Sequence, residues 1–346
     1  MSTDAAAPTY GPSPLLARPG AVAAEGADAG VAWHYGDPMA EQRRLVEGVG
    51  AVDLSHRGVV TVTGPDRLSW LHSLTTQQLT GLAPYSSTES LVLSPHGHVE
   101  HDLHLVDDGS TTWVTVEPGT SPALTAWLDS MRFLLRVEVA DVTPDFAVVG
   151  EPVRREAGPS EPVAWSDPWP LLAQGGAAYS VVSDLDHPGW TMREVIVPRS
   201  ELASYTDDRE LSGTWALEAL RVAAWRPRLG HESDHRTIPH EVDWLRTAVH
   251  LQKGCYRGQE TVARVHNLGR PPRRLVMLHL DGSGHGLPEQ GDEVQLDGRR
   301  VGFVTTAARH YELGPVALAL VKRNTAVDAT LQVGDIAAAQ EVVVAP

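Results

Sequence analysis

Beyond residues 271–272, a Pro-Pro pair, the residue pattern changes, and that change constrains the fold more than any other feature of the chain. Short strand-like runs at 275–280, 293–296, 301–305, 317–321 and 341–344 follow one another, separated by Gly and Asp. They predict a small all-β domain over 272–346, closed as a barrel so that no long edge is left unpaired.

Upstream, helical and strand patterns alternate irregularly, so the whole reads as α+β with more than one domain. The β-branched run 58–64 predicts a strand ended by glycine, and Pro65-Asp66 opens a helix with Leu68, Leu71 and Leu74 on one side. Residues 90–107 read as a β-hairpin turning at Ser94-Pro95-His96-Gly97, with a further strand at 113–116. Ser121-Pro122 starts a helix whose stripe Leu124, Trp127, Leu128, Met131 and Leu135 is core. Residues 151–168 read as an exposed loop and 214–224 as a helix. Residues 1–30, rich in Ala, Pro and Gly, are expected to form a disordered leader. The region 31–271 then forms two lobes with a break near 140–170.

No apolar run approaches the length of a membrane span, and no basic-then-apolar segment opens the chain, which implies a cytoplasmic protein without a membrane partner. One cysteine in 346 residues excludes an internal disulfide, fits a reducing compartment, and excludes a four-thiolate metal or cluster site from this chain alone. The formal charge of −16 argues against nucleic acid as a partner. Yet residues 253–274 hold six cations (Lys253, Arg257, Arg264, Arg270, Arg273, Arg274) against one acid, Glu260, a local balance of +5. Such a segment is expected to face a specific anion.

The string Lys253-Gly254-Cys255-Tyr256-Arg257-Gly258-Gln259-Glu260 carries the most chemistry. Two glycines near a cysteine allow a tight turn and close approach of a ligand. Lys253 and Arg257 lie two residues to either side, on the face of Cys255 if the segment is extended, and cations there favour a thiolate. Tyr256 offers a flat ring and a hydroxyl, and Gln259 can donate and accept hydrogen bonds. Cys255 is therefore the candidate nucleophile or transient ligand.

This string resembles the K-G-C-Y-x-G-Q-E signature of the YgfZ family, relatives of the glycine-cleavage T-protein, an aminomethyltransferase. Tyr35-Gly36, 50–56, Gly64-Pro65-Asp66-Arg67, 220–230 and 291–323 resemble T-protein blocks in the same order, so the likeness runs from about residue 31 to the end. It implies a multi-lobed T-protein-like fold around a channel that binds tetrahydrofolate or a derivative. It further implies support for iron–sulfur cluster assembly or repair in client enzymes, with Cys255 important. Folate contacts are expected from Asp102, Arg221, Arg226, Tyr256, Arg257 and Arg264, and no resident metal. The alternative is a folate-dependent one-carbon transferase of aminomethyl type on an unknown substrate.

Two departures set the chain apart from the aminomethyltransferases. In Gly97-His98-Val99-Glu100-His101-Asp102, His101 stands where the family carries the first, catalytic acid of a pair, while Asp102 remains. In Arg221-Val222-Ala223, alanine replaces a pterin-binding glutamate. Glycine-cleavage chemistry is therefore not expected. The histidines 96, 98, 101 and 104 are read as hydrogen-bonded hairpin residues, since alternation along a strand separates His101 from His98 and His104.

Overall fold

The computed structural model describes residues 11–284 and 286–346. Its first sheet is antiparallel and five-stranded, in the order Ser87–Leu93, Val99–Asp107, Thr111–Val116, Gly58–Thr63, Glu138–Asp141. A second five-stranded sheet runs Ala164–Ser166, Arg193–Pro198, Phe146–Glu151, Ala51–Asp53, Leu211–Ser212, with only the last pair parallel. The β-branched inward residues Val60, Val62, Val114 and Val116 bury one face of the first sheet against Leu124 and Leu128.

The C-terminal region closes as a six-stranded barrel: Arg273–Leu280, Gly314–Lys322, Arg299–His310, Glu293–Leu296, Thr330–Val333 and Ile336–Val342, the last pairing back to the first. The expected α+β, T-protein-like architecture with a terminal β-barrel is the architecture found.

Six α-helices lie among the described residues: α1 Pro38–Val46, α2 Arg67–Leu74, α3 Ser121–Ser130, α4 Leu202–Tyr205, α5 Thr214–Ala223 and α6 Gln259–Leu268. Asp37 caps α1 by accepting from the amides of Met39 and Ala40, with Pro38 in the first turn. Helix α5 is buried on nearly every side, Trp215, Leu220 and Ala223 excepted, and carries its charged residues inward. Only a network of opposite charges makes that tolerable.

Four expectations are corrected. The stripe that begins at Leu124 is core only as far as Leu128, since the helix ends at Ser130 and Met131 and Leu135 beyond it are exposed. The disordered leader does not hold for residues 11–30: Leu15 sits in the second sheet's core, residues 22–23 pair with 32–34, and Asp28 is buried against Arg228. Residues 1–10 lie outside the described residues. The exposed loop at 151–168 contains the buried strand Ala164–Ser166, because Trp165 alternates into the molecular centre. The +5 segment is not one anion-facing patch. Lys253, Arg273 and Arg274 are held by groups of the chain itself: backbone carbonyls, Asp234 with Glu241, and Thr325 with Gln340, respectively.

Two glycines lock α6 to the hairpin turn. Gly97 has φ +80° and Gly258 has φ +83°, both in the left-handed region. A Cβ on Gly97 would sit 2.7 Å from the Thr261 Cβ, and one on Gly258 would sit 2.6 Å from the Ser94 carbonyl oxygen. The loop carrying Cys255 is thus fixed to the hairpin that carries Asp102.

Candidate functional site

A small cavity lies where both sheets, α5 and the segment after it converge; the free volume is about 40 Å³. Strand Val99–Asp107 alternates Asp102 and His104 toward it. Helix α5 supplies Glu218 and Arg221 one turn apart, and the following turn supplies Arg226 and Arg228. Trp165 and Trp190 form aromatic walls.

The guanidinium groups are all paired. Arg57 binds Glu194 and, at 2.8 Å, Glu117. Arg228 binds Asp28 at 2.7 Å, Glu117 at 2.7 Å and Glu218 at 3.2 Å. Arg221 binds Glu218 at 2.8 Å and Glu232 at 2.7 Å, and Arg226 binds Glu89 at 2.7 Å and Asp167 at 3.0 Å. The carboxylates outnumber these arginines, so the cavity carries negative character and suits donors rather than anions.

His104 is the keystone of the network. Its ring stacks on Trp165 at 3.7 Å with an interplanar angle of 5°, and Nδ1 lies 3.1 Å from Glu194. Burial alone would lower its pKa, but the Glu194 charge, the contact with Glu194 and the Asp102 carboxylate 3.6 Å from Nε2 outweigh burial and hold it at about 10. The imidazole is therefore a cation at neutral pH. Glu89 moves the other way. Burial raises it to about 7 against the attraction of Arg226. Asp102 is held below its ordinary value: burial would raise it, but hydrogen bonding and the charge of His104, with Arg226 behind, prevail.

Oδ1 of Asp102 accepts from no N–H donor among the described residues. Glu89, buried behind the cavity wall, lies close enough to Asp102 for the two carboxyl groups to share one proton. Glu89, Asp102 and His104 also lie within 4.8 Å of one another through one ligand atom each.

Of the residues singled out in the sequence, Asp102, Arg221 and Arg226 line this cavity. Tyr256, Arg257 and Arg264 do not: Arg257 pairs with Glu100 at 2.8 Å and lies over the Trp127 ring, and Arg264 is exposed on α6. Cys255 lies outside the cavity lining too, exposed on the loop before α6. On either side of it the chain is anchored. The Lys253 ammonium donates to the carbonyls of His72, Thr75 and Gln77, satisfying the C-terminal end of α2, and the Tyr256 ring is buried. Burial lowers the Lys253 pKa to about 8. His101 faces the opposite side of its strand from Asp102, so its substitution for an acid leaves the cavity's own acid in place.

Arg57, Glu117, Glu194 and Arg228 were not legible as site residues. They come from four separated segments and converge only in the fold, and no local spacing marks them. Trp165 was hidden inside a segment that composition assigns to a loop.

The comparisons with known proteins agree with this architecture. Residues 15–150 match the GCVT N-terminal domain, and residues 273–345 match the glycine cleavage T-protein C-terminal barrel domain. The chain carries both T-protein domains. An aminomethyltransferase of Herpetosiphon aurantiacus is 28% identical to this T-protein-like chain over 308 residues, 84% of this chain and 83% of that one. A protein of Arabidopsis thaliana named provisionally as a chloroplastic transferase is 26% identical over 319 residues, 83% of this chain and 69% of the other. The crystal structure of aminomethyltransferase T from Bartonella henselae superposes with a TM-score of 0.74 at 18% identity, covering 96% of this chain and 95% of that one, which establishes a shared fold.

Proposed function

We propose that this T-protein-like chain is a tetrahydrofolate-binding protein that supports assembly or repair of iron–sulfur clusters in client enzymes through Cys255. The observation that carries the reading is the presentation of the chain's one thiol: Cys255 is exposed while Lys253 and Tyr256 beside it are buried and fixed. A thiol that is merely a small core residue would be packed among apolar side chains. Here the fold spends an ammonium and an aromatic ring on holding the loop that displays it. The resemblance of residues 253–260 to the YgfZ signature names the iron–sulfur role. One thiolate leaves a cluster short of ligands, so a client or a small thiol supplies the rest and the contact is transient.

The central cavity supports the folate half of the reading. A pterin presents amino and ring N–H donors on one edge and a flat face. Asp102, with an acceptor oxygen free of N–H donors, and the Trp165 and Trp190 walls match those features. A free volume of about 40 Å³ does not admit the ring with the side chains as they stand, so binding requires them to part. Asp102 would accept from the bound group, and the paired arginines would hold the carboxylates in register.

A second reading, a folate-dependent one-carbon transferase, is favoured by one feature: Asp102, which lines the cavity, lies close to the buried Glu89, whose carboxyl burial raises to about 7. Calorimetry with tetrahydrofolate separates these readings from a protein that binds none. Native protein binds, and Asp102→Asn weakens binding at least tenfold. Equal affinity for the variant would remove the cavity from the account. Turnover of a methylene or aminomethyl folate with a small amine acceptor would favour the transferase.

A further inference from the structure

A second concavity, separate from the central cavity, adjoins the Cys255 loop. It has a free volume of about 380 Å³ and lies between the signature loop, α6 and the turn at residues 175–177. That size is in the range of ligand sites. Its far wall is rigid: Leu251 N–H donates to the Gly175 carbonyl at 2.8 Å, and Ala177 N–H to the Leu245 carbonyl at 3.0 Å.

The lining is uncharged apart from what His266 can carry, since no Asp, Glu, Lys or Arg belongs to it. His266 is already engaged by the Tyr179 hydroxyl at 3.1 Å. The amides of Gln252, Gln259 and Asn267 line the cleft and make no side-chain hydrogen bond within the described residues. Tyr256 adds the decisive feature. It is 7% exposed and lines the cleft, and its hydroxyl is buried without a hydrogen-bond partner. A buried hydroxyl left unpaired costs free energy, and at a cleft wall a ligand can supply the partner. Amide side chains and a neutral hydroxyl, each able to donate and accept, match the alternating N–H and C=O groups of a peptide backbone.

We propose that this cleft binds an uncharged peptide segment of a partner protein and lays it beside Cys255. The proposal deepens the reading of Cys255 as the working thiol by naming what it works on: a polypeptide held by its backbone.

The test uses the full chain and a neutral probe, N-acetyl-Gly-Ser-Gly-amide. Because Cys255 is the only cysteine, iodoacetamide labelling followed by mass spectrometry reads that residue alone. At about 10 mM, the regime for a fragment of this size, the peptide is expected to slow labelling at least threefold, with little dependence on salt. Tyr256→Phe keeps the ring and removes the hydroxyl. It is expected to lose most of the protection while melting at a temperature no lower than the native protein. Labelling unaffected by the peptide, or equally protected in Tyr256→Phe, overturns the proposal. A lower melting temperature for Tyr256→Phe overturns it as well, since the hydroxyl would then have an internal partner. Failure of the Cys255 reading is distinguishable: Cys255→Ser supporting client enzymes in cells would remove the thiol's role while leaving peptide protection of the native thiol as measured.

Discussion

Cys255→Ser exchanges one small exposed group for another. Its effect on stability is expected to lie within about 0.5 kcal/mol, as for surface changes generally, measured by urea unfolding. Loss of client-enzyme support with that stability intact would separate function from folding. Arg228 is the opposite case. Its guanidinium bridges Asp28, Glu117 and Glu218, all buried. Arg228→Leu strands these carboxylates, and the expected loss is about 3 kcal/mol or more. A loss under about 1 kcal/mol would show that the network has slack. Such residues were invisible in the sequence, because an arginine and a carboxylate some 200 positions apart carry no mutual spacing signal. Asp102 and Arg221 were legible because each sits in a local string with a recognisable pattern.

At the scale of elements, the legible features were those with a period or a local turn rule. The hairpin at 94–98, the helix from Thr214 and the terminal barrel all follow from alternation, helical spacing or glycine punctuation. Where the expectation failed, a tertiary contact overrode composition. The first thirty residues look unstructured by content, yet Leu15 and Asp28 each find a buried partner. The cations of 253–274 look like one patch, yet three-dimensional packing turns them toward different partners. Gly258 was read as a residue that lets a ligand approach, whereas the close neighbour is the protein's own hairpin turn. Gly258→Ala must keep φ near +83° and push against the Ser94 carbonyl. The expected cost is about 1–3 kcal/mol, with Cys255 labelled faster as its loop loosens. Unchanged labelling and stability would mean that the loop is not held there.

At the scale of the whole molecule, the buried charges make stability depend on pH in two directions. Glu89 is raised from 4.5 to about 7, so the folded chain keeps a proton that the unfolded chain has released. Stability therefore falls as pH rises through that window, by an amount on the order of 3 kcal/mol. Glu89→Gln should flatten this limb of a urea-unfolding series between about pH 5 and pH 7; a slope equal to the native one would contradict the assignment. Glu194 and Glu218 are lowered to about 2, because Arg57 and Arg221 overcome the cost of burial. Their contribution is present above the unfolded value of 4.5 and is lost as pH falls toward 2.

The scaffold displays Cys255 to solvent, and complementation tests what that thiol does. A strain lacking this protein is assayed for several iron–sulfur enzymes and for matched enzymes without clusters, then supplied with native protein, Cys255→Ser or Asp102→Asn at equal abundance. The cluster enzymes alone are expected to lose activity, with native protein restoring them and Cys255→Ser failing to do so. Full restoration by Cys255→Ser, or equal loss in enzymes without clusters, would contradict this expectation.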